Sequence, residues 1–179
     1  MKATCIAAIS LFVLAWMTQA CAQGERLTDA QMAGVVFVAN QAEIAAGELA
    51  LQRTQSRSVQ AFARRIVAEH GQVNQEIAAL TQRLAASLQR SATSDALTKE
   101  ANDDLARLNE VDSRGFNEAY LDREVDSLGR LVNSTDAFIR STTSADLRML
   151  LIRSRPSFIF HLDQARQLKL SIGSPGIGR

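Results

Sequence analysis

VQAFARRIVAEHGQVNQEIAALTQRL, residues 59–84, carries the clearest periodicity in the chain. Val59, Phe62 with Ala63, Ile66, His70, Val73, Ile77, Leu80 and Leu84 follow one another three or four residues apart from turn to turn. That spacing lines one face of an α-helix. One member of the stripe is not apolar. His70 takes a core slot, and an imidazole is costly to bury unless its nitrogens are paired. Glu69 lies to its side and reads as solvated. Arg57, Arg64, Arg65 and Arg83 form a charged outer face balanced by Glu69 and Glu76.

The flanking segments repeat the pattern. Upstream, Thr28 or Asp29 caps a first helix that runs to about Gln55. Ala33, Phe37, Ile44 and Leu51 form one seam; Val36, Ala39, Gly47 and Ala50 form a second, of small residues. Glu43 lies on the second seam and Glu48 borders the first. So wide an apolar arc touches two neighbours, as bundle helices do. Ser56 to Ser58 read as the turn into the second helix. Residues 87–98 read as a polar surface connection, with Leu97, Leu105 and Leu108 in a short accessory helix. Asp112 or Ser113 then caps a third long helix. Its inner face carries Phe116, Tyr120, Leu121, Leu128 and Leu131, with Glu124 projecting onto it and Asp122 pointing away. A fourth helix, from about Ala145 to Ile172, turns Leu147, Leu150, Ser154, Phe158, His161 and Ala165 inward, and Pro156 is expected to kink it one turn before His161.

Nowhere does period-two alternation persist between turn residues, so no sheet is expected. The fold class is all-α: a ferritin-like four-helix bundle in which a long connection between the second and third long helices brings two antiparallel pairs together. Three units follow along the chain: a signal peptide at 1–22, the helical domain at 23–172 and a Gly-rich flexible tail at 173–179.

Lys2 is the only charge before Glu25, an apolar run spans Cys5 to Met17, and Ala20-Cys21-Ala22 supplies the small-x-small pattern of signal peptidase. The run is shorter than the roughly twenty residues that span a bilayer, so cleavage after Ala22 is the reading rather than a retained anchor. The alternative is a lipoprotein acylated at Cys21, against which Thr18 and Gln19 replace the apolar and small residues usual before such a cysteine. Both cysteines of the chain lie in this segment, so the exported part has no disulfide, thiolate ligand or cysteine nucleophile. Nineteen basic residues then face nineteen acidic ones, with no basic excess to draw a phosphate backbone; nucleic acid is not an expected partner. No transmembrane helix is expected in the exported chain. The serines sit at caps and turns, and no phosphate loop or dinucleotide fingerprint occurs.

Four segments carry a family resemblance: LTDAQMAGVVFVANQAEIAAGELAL (27–51), VQAFARRIVAEHGQVNQEIAAL (59–80), FNEAYLDREV (116–125) and RPSFIFHLDQA (155–165). In this order and spacing they resemble an exported bacterial ferritin-like family known as domain of unknown function 4142. The resemblance implies an acidic residue at Glu43 and histidines at His70 and His161. It also implies a further histidine three residues after Val125, where this chain has Leu128.

Di-iron bundles draw Glu from two helices and Glu-x-x-His from the other two. Here Val67 and Phe158 stand three residues before His70 and His161, so that motif is absent. Two readings remain. His70, His161, Glu43 and Glu124, one from each long helix, could hold a single Zn, Fe or Mn ion. Alternatively both histidines are hydrogen-bonded core residues, paired to the buried acids or to Tyr120. With a leucine at position 128 we take the second. The expected protein is a periplasmic, non-enzymatic bundle without a cofactor, binding an envelope protein or small ligand or serving a stress-related role; the alternative is a metal-binding or metal-dependent redox protein.

Overall fold

The computed structural model describes residues 26–173, which fold into five α-helices with no strand among them. They are α1 (Asp29–Arg53), α2 (Arg57–Arg83), α3 (Ala92–Glu110), α4 (Phe116–Ser141) and α5 (Ala145–Gly173). The expected signal peptide and the tail beyond Gly173 lie outside the described residues.

The start of α1 is set locally. Thr28 Oγ1 accepts from Gln31 N at 3.2 Å while Gln31 Oε1 accepts from Thr28 N at 2.9 Å, a reciprocal cap that satisfies two otherwise orphaned donors. Along the helix the small-residue seam is the more deeply buried of the two: Val36, Ala39, Gly47 and Ala50 are buried, whereas Phe37, Ile44 and Leu51 are only partly so. The reason is close packing on α2, where a Cβ at Gly47 would meet Val67 Cγ2 at 2.9 Å. α1 is also long and apolar enough to cross a membrane by length and composition. More than half of its most apolar window is buried within the protein, and its inner face carries Asn40 and Glu43.

The second helix follows its stripe. Val59, Phe62, Ala63, Ile66, His70, Val73, Ile77 and Leu80 are buried, and only Leu84, just past the helix end, is exposed. Its start is two residues earlier than expected: Ser56 is the cap, and the corner itself is residues 54–56. Buried Thr54 fastens that corner to the start of α4 through Asn117 Oδ1 at 2.5 Å. At the other end Asp29 accepts from Thr143 N and Oγ1, tying the start of α1 to the α4–α5 turn.

These ties fix the directions. α1 packs antiparallel to α2 and α4, and α5 packs antiparallel to α4 and α2, around one shared apolar core. α3 differs from expectation. It spans 19 residues and begins at Ala92, inside the segment expected as a polar connection. Ser91 and Ser94 cap it reciprocally through their hydroxyls, so the serine-rich stretch is a helix start. α3 lies across α1, with Leu108 reaching the core. Arg53 holds its far end by donating to the carbonyls of Asn109 and Val111. The link from α2 crosses the start of α1 at Gly34, where any Cβ would stand 2.5 Å from the Gln89 carbonyl oxygen.

One further boundary departs from the sequence reading. α4 starts at Phe116, and Asp112 instead accepts from Arg114 N and Gly115 N in the preceding turn. α5 spans Ala145–Gly173, close to the bounds read from sequence, with Pro156 inside the helix on its exposed side.

Candidate functional site in the helical core

His70 and His161 are both fully buried and touch: His70 Nε2 lies 3.1 Å from His161 Nδ1. Each belongs to the inner stripe of its helix, and the antiparallel packing of α2 on α5 brings the two to one level. Phe158, one turn before His161, stacks on His70 with centroids 5.3 Å apart and planes 15° from parallel. The other ring nitrogens are also engaged. His70 Nδ1 is 2.8 Å from Asn40 Oδ1, and Asn40 Nδ2 donates to Asn74 Oδ1 at 3.0 Å. Asn74 Nδ2 donates in turn to the Phe37 carbonyl at 3.3 Å. On the α5 side, His161 Nε2 is 3.0 Å from Glu69 Oε2, which also accepts from Ser157 Oγ at 2.6 Å.

Glu69 is therefore not simply solvated. It stands beside the buried stripe of α2, on the edge that faces α5, where Ser157 and His161 are one turn apart. Burial acts to raise its pKa, but the Ser157 hydrogen bond and the nearby His161 outweigh it and hold the carboxyl below its usual value. Burial also disfavours charge on the imidazoles. His70 is pushed down to about 4, and His161 is lowered too, with Glu69 pulling the other way.

The two acids form a second cluster. Glu43 on α1 and Glu124 on α4 are buried, as their apolar surroundings in sequence suggested, and Arg123 lies between them. Its Nη1 donates to Glu43 Oε2 at 2.6 Å and to Glu124 Oε1 at 2.7 Å, while its Nε approaches Asp104 of α3 at 3.9 Å. Sequence reasoning missed Arg123 altogether. The available signal was chemical: two carboxylates on core faces need a counter-charge, and an arginine directly precedes one of them.

Charge in this cluster is apportioned by position. Burial acts to raise Glu43, but the Arg123 guanidinium outweighs it and the group stays ionised. Glu124 is raised well above the usual carboxylate range, first by burial and then by the neighbouring Glu43 charge. Burial works against the Arg123 charge, yet the two glutamates hold its proton more tightly than usual. One carboxylate, one guanidinium and one carboxylic acid make an electrically neutral buried group. Tyr120 has its phenol raised well above its usual value by burial and by Glu124; it bonds neither histidine.

A pH dependence follows. Native Glu124 keeps a proton that the unfolded chain releases above about 4.5, so its contribution to stability is present below that value and is lost as pH rises toward the raised native pKa. Glu124→Gln removes this loss while keeping a neutral acceptor for Arg123. Above about pH 4.5 the variant should gain steadily on the wild type as pH rises toward the raised native pKa, by no more than about 1.4 kcal/mol per unit. Urea unfolding at several pH values measures it, and parallel profiles would show that native Glu124 is ionised.

The four sequence candidates thus fall into two groups, His70 with His161 and Glu43 with Glu124. Among the described residues no three His, Asp or Glu side chains gather as ligands for a metal. The nitrogens face each other, Asn40 and Glu69, and a guanidinium stands where a cation between the two glutamates would sit. Asp122, expected to point away, pairs with Lys169 at 2.5 Å on the α4–α5 surface. Two openings border the site. A groove of about 730 Å³ between α2 and α5 has Glu69 and Ser157 in its lining. A cavity of about 420 Å³ beneath α3 reaches Glu43 and Arg123 past Val36, Leu97 and Leu131.

The family model described as a domain of unknown function (DUF4142) matches residues 16–168. No curated protein matches the chain. No solved structure matches it.

Proposed function

We propose, for a chain that belongs to the DUF4142 family, an exported, periplasmic binding protein with a ferritin-like four-helix bundle and no enzymatic activity or cofactor of its own. The bundle reading rests on α1, α2, α4 and α5, paired antiparallel, with α3 carried in the long connection between the two pairs. The export reading rests on the first 22 residues, which end in Ala-x-Ala after an apolar run.

The observation that carries the non-enzymatic reading is Arg123. In metal-carboxylate bundles, glutamates from facing helices share metal cations; here Glu43 and Glu124 share a guanidinium that belongs to the protein. The charges of this cluster are thereby balanced by the protein's own groups, and binding falls to the periphery. The α2–α5 groove, walled by Glu76, Arg83, Asp146 and Arg153, suits a small polar ligand or a charged partner segment. Elemental analysis of protein purified without an affinity tag tests the reading. Trace metal only is expected; close to one zinc, iron or manganese ion per chain would overturn it.

A further inference from the structure

The hydrogen-bonded chain through the core can be counted proton by proton. It runs from the Phe37 carbonyl through Asn74, Asn40, His70 and His161 to the Glu69 carboxylate. Five contacts link six groups. The two ends, a carbonyl and a carboxylate, can only accept. Each of the four groups between them, two amides and two neutral imidazoles, gives one hydrogen along the chain and takes one. Four hydrogens cannot fill five contacts. Reversing an amide or a tautomer moves the empty contact along the chain without removing it, so the orientation of the amides decides where the missing hydrogen falls.

With the amides as they stand, Asn74 donates to Phe37 and Asn40 donates to Asn74. His70 Nδ1–H then donates to Asn40, and His161 Nδ1–H donates to His70. The unfilled contact is His161 Nε2 to Glu69 Oε2, where a lone pair would face a carboxylate at 3.0 Å. Ser157 does not fill it, because its hydroxyl hydrogen already points to Glu69.

We infer that this chain is a built proton-binding site, which takes up one proton from the α2–α5 groove and holds it on His161 Nε2 against the Glu69 carboxylate. Glu69 is 41% exposed, whereas His161 is fully buried, so the carboxylate is both the solvent-side gate and the partner of the imidazolium. The charged groups around the pair are Glu69 and Arg65 from α2, Glu43 from α1 and Arg123 from α4. Burial opposes a charge on His161, but burial supplies no hydrogen for the 3.0 Å contact, and an imidazolium does. The two histidines therefore have separate roles: His161 carries the proton, and His70 remains neutral and passes the hydrogen-bond direction inward to Asn40. This site goes beyond the proposed function and stands whether or not the groove has a ligand.

Having only two histidines makes the test direct. Nitrogen-15 spectra of the imidazoles, followed from about pH 8 down to about pH 5, should show His161 gaining its second proton first while His70 stays the neutral Nδ1–H tautomer. A His161→Gln variant assigns the signals. Glu69→Gln supplies the missing hydrogen from its own amide, so His161 should become neutral and its titration midpoint should move down by about one to three units. Two imidazoles neutral throughout that range, protonation of His70 before His161, or a His161 titration indifferent to Glu69→Gln would overturn the inference.

Discussion

Arg123→Met is expected to destabilise the protein by about 3–5 kcal/mol, because it leaves a buried carboxylate without its counter-charge. The effect comes from what remains rather than from what is lost. Glu43 is 2% exposed and ionised beside Arg123, and without the guanidinium it must carry an unpaired charge in the core or take up a proton. Adding Glu43→Gln to Arg123→Met should therefore restore much of the loss, since a neutral amide no longer needs that partner. A surface arginine of the same helix gives the contrast. Arg130 pairs with Glu100 where both side chains are about half exposed, and Arg130→Met should change stability by less than about 1 kcal/mol. Denaturant unfolding at neutral pH measures all of these. Equal losses at positions 123 and 130 would mean that the Arg123 side chain lies in solvent.

Phe158→Ala is expected to cost about 3–5 kcal/mol through the cavity it leaves and the packing it removes. The ring is 1% exposed and lies flat against His70, so the loss falls on the wall that keeps the histidine pair dry. Phe160, two residues on, faces outward at 46% exposure beneath the Arg65 guanidinium. Its replacement by alanine should cost no more than about 1 kcal/mol, the worth of an exposed cation–π contact. Both changes remove the same atoms from the same helix, so the ratio of the two losses reports the facing of α5. Similar losses would contradict that facing.

How much of this was legible in the sequence depends on whether a feature is local. The α2 stripe from Val59 to Leu80 repeats over six turns and gave every buried apolar position of that helix. The Thr28 cap could be read because a hydroxyl and a glutamine three residues apart make a closed local motif. The start of α3 could have been read the same way, but Ser91 and Ser94 use two hydroxyls where the familiar motif ends in Glu or Gln, and a serine-rich stretch resembles a loop. Asp112 was misplaced because an aspartate that closes a turn and one that opens a helix look alike in sequence.

The site was legible only in part. His70, His161, Glu43 and Glu124 could be placed in the core from periodicity alone, and all four are buried there. Which of them meet is set by the relative height of neighbouring helices, a property of no single segment. Asn40 and Asn74, 34 residues apart, bond because α1 and α2 pack at that level. Glu69 looked solvated because it stands beside the α2 stripe, yet that edge is the one α5 covers. Arg123 was not singled out because it lies outside the apolar face read for its helix, although its long side chain reaches inward to two acids on different helices.

The central claim is that the core's candidate ligands are held by the protein's own groups rather than by a metal: two histidines paired with each other, Asn40 and Glu69, and two glutamates paired with Arg123. The most direct measurement is the melting temperature of tag-free protein with zinc, manganese or ferrous iron added in excess. A ligand that binds only the native state raises the melting point by mass action. The claim predicts the same melting temperature with and without each metal, for the wild type and for His70→Ala alike. A clear rise in the wild type that disappears in His70→Ala would contradict it.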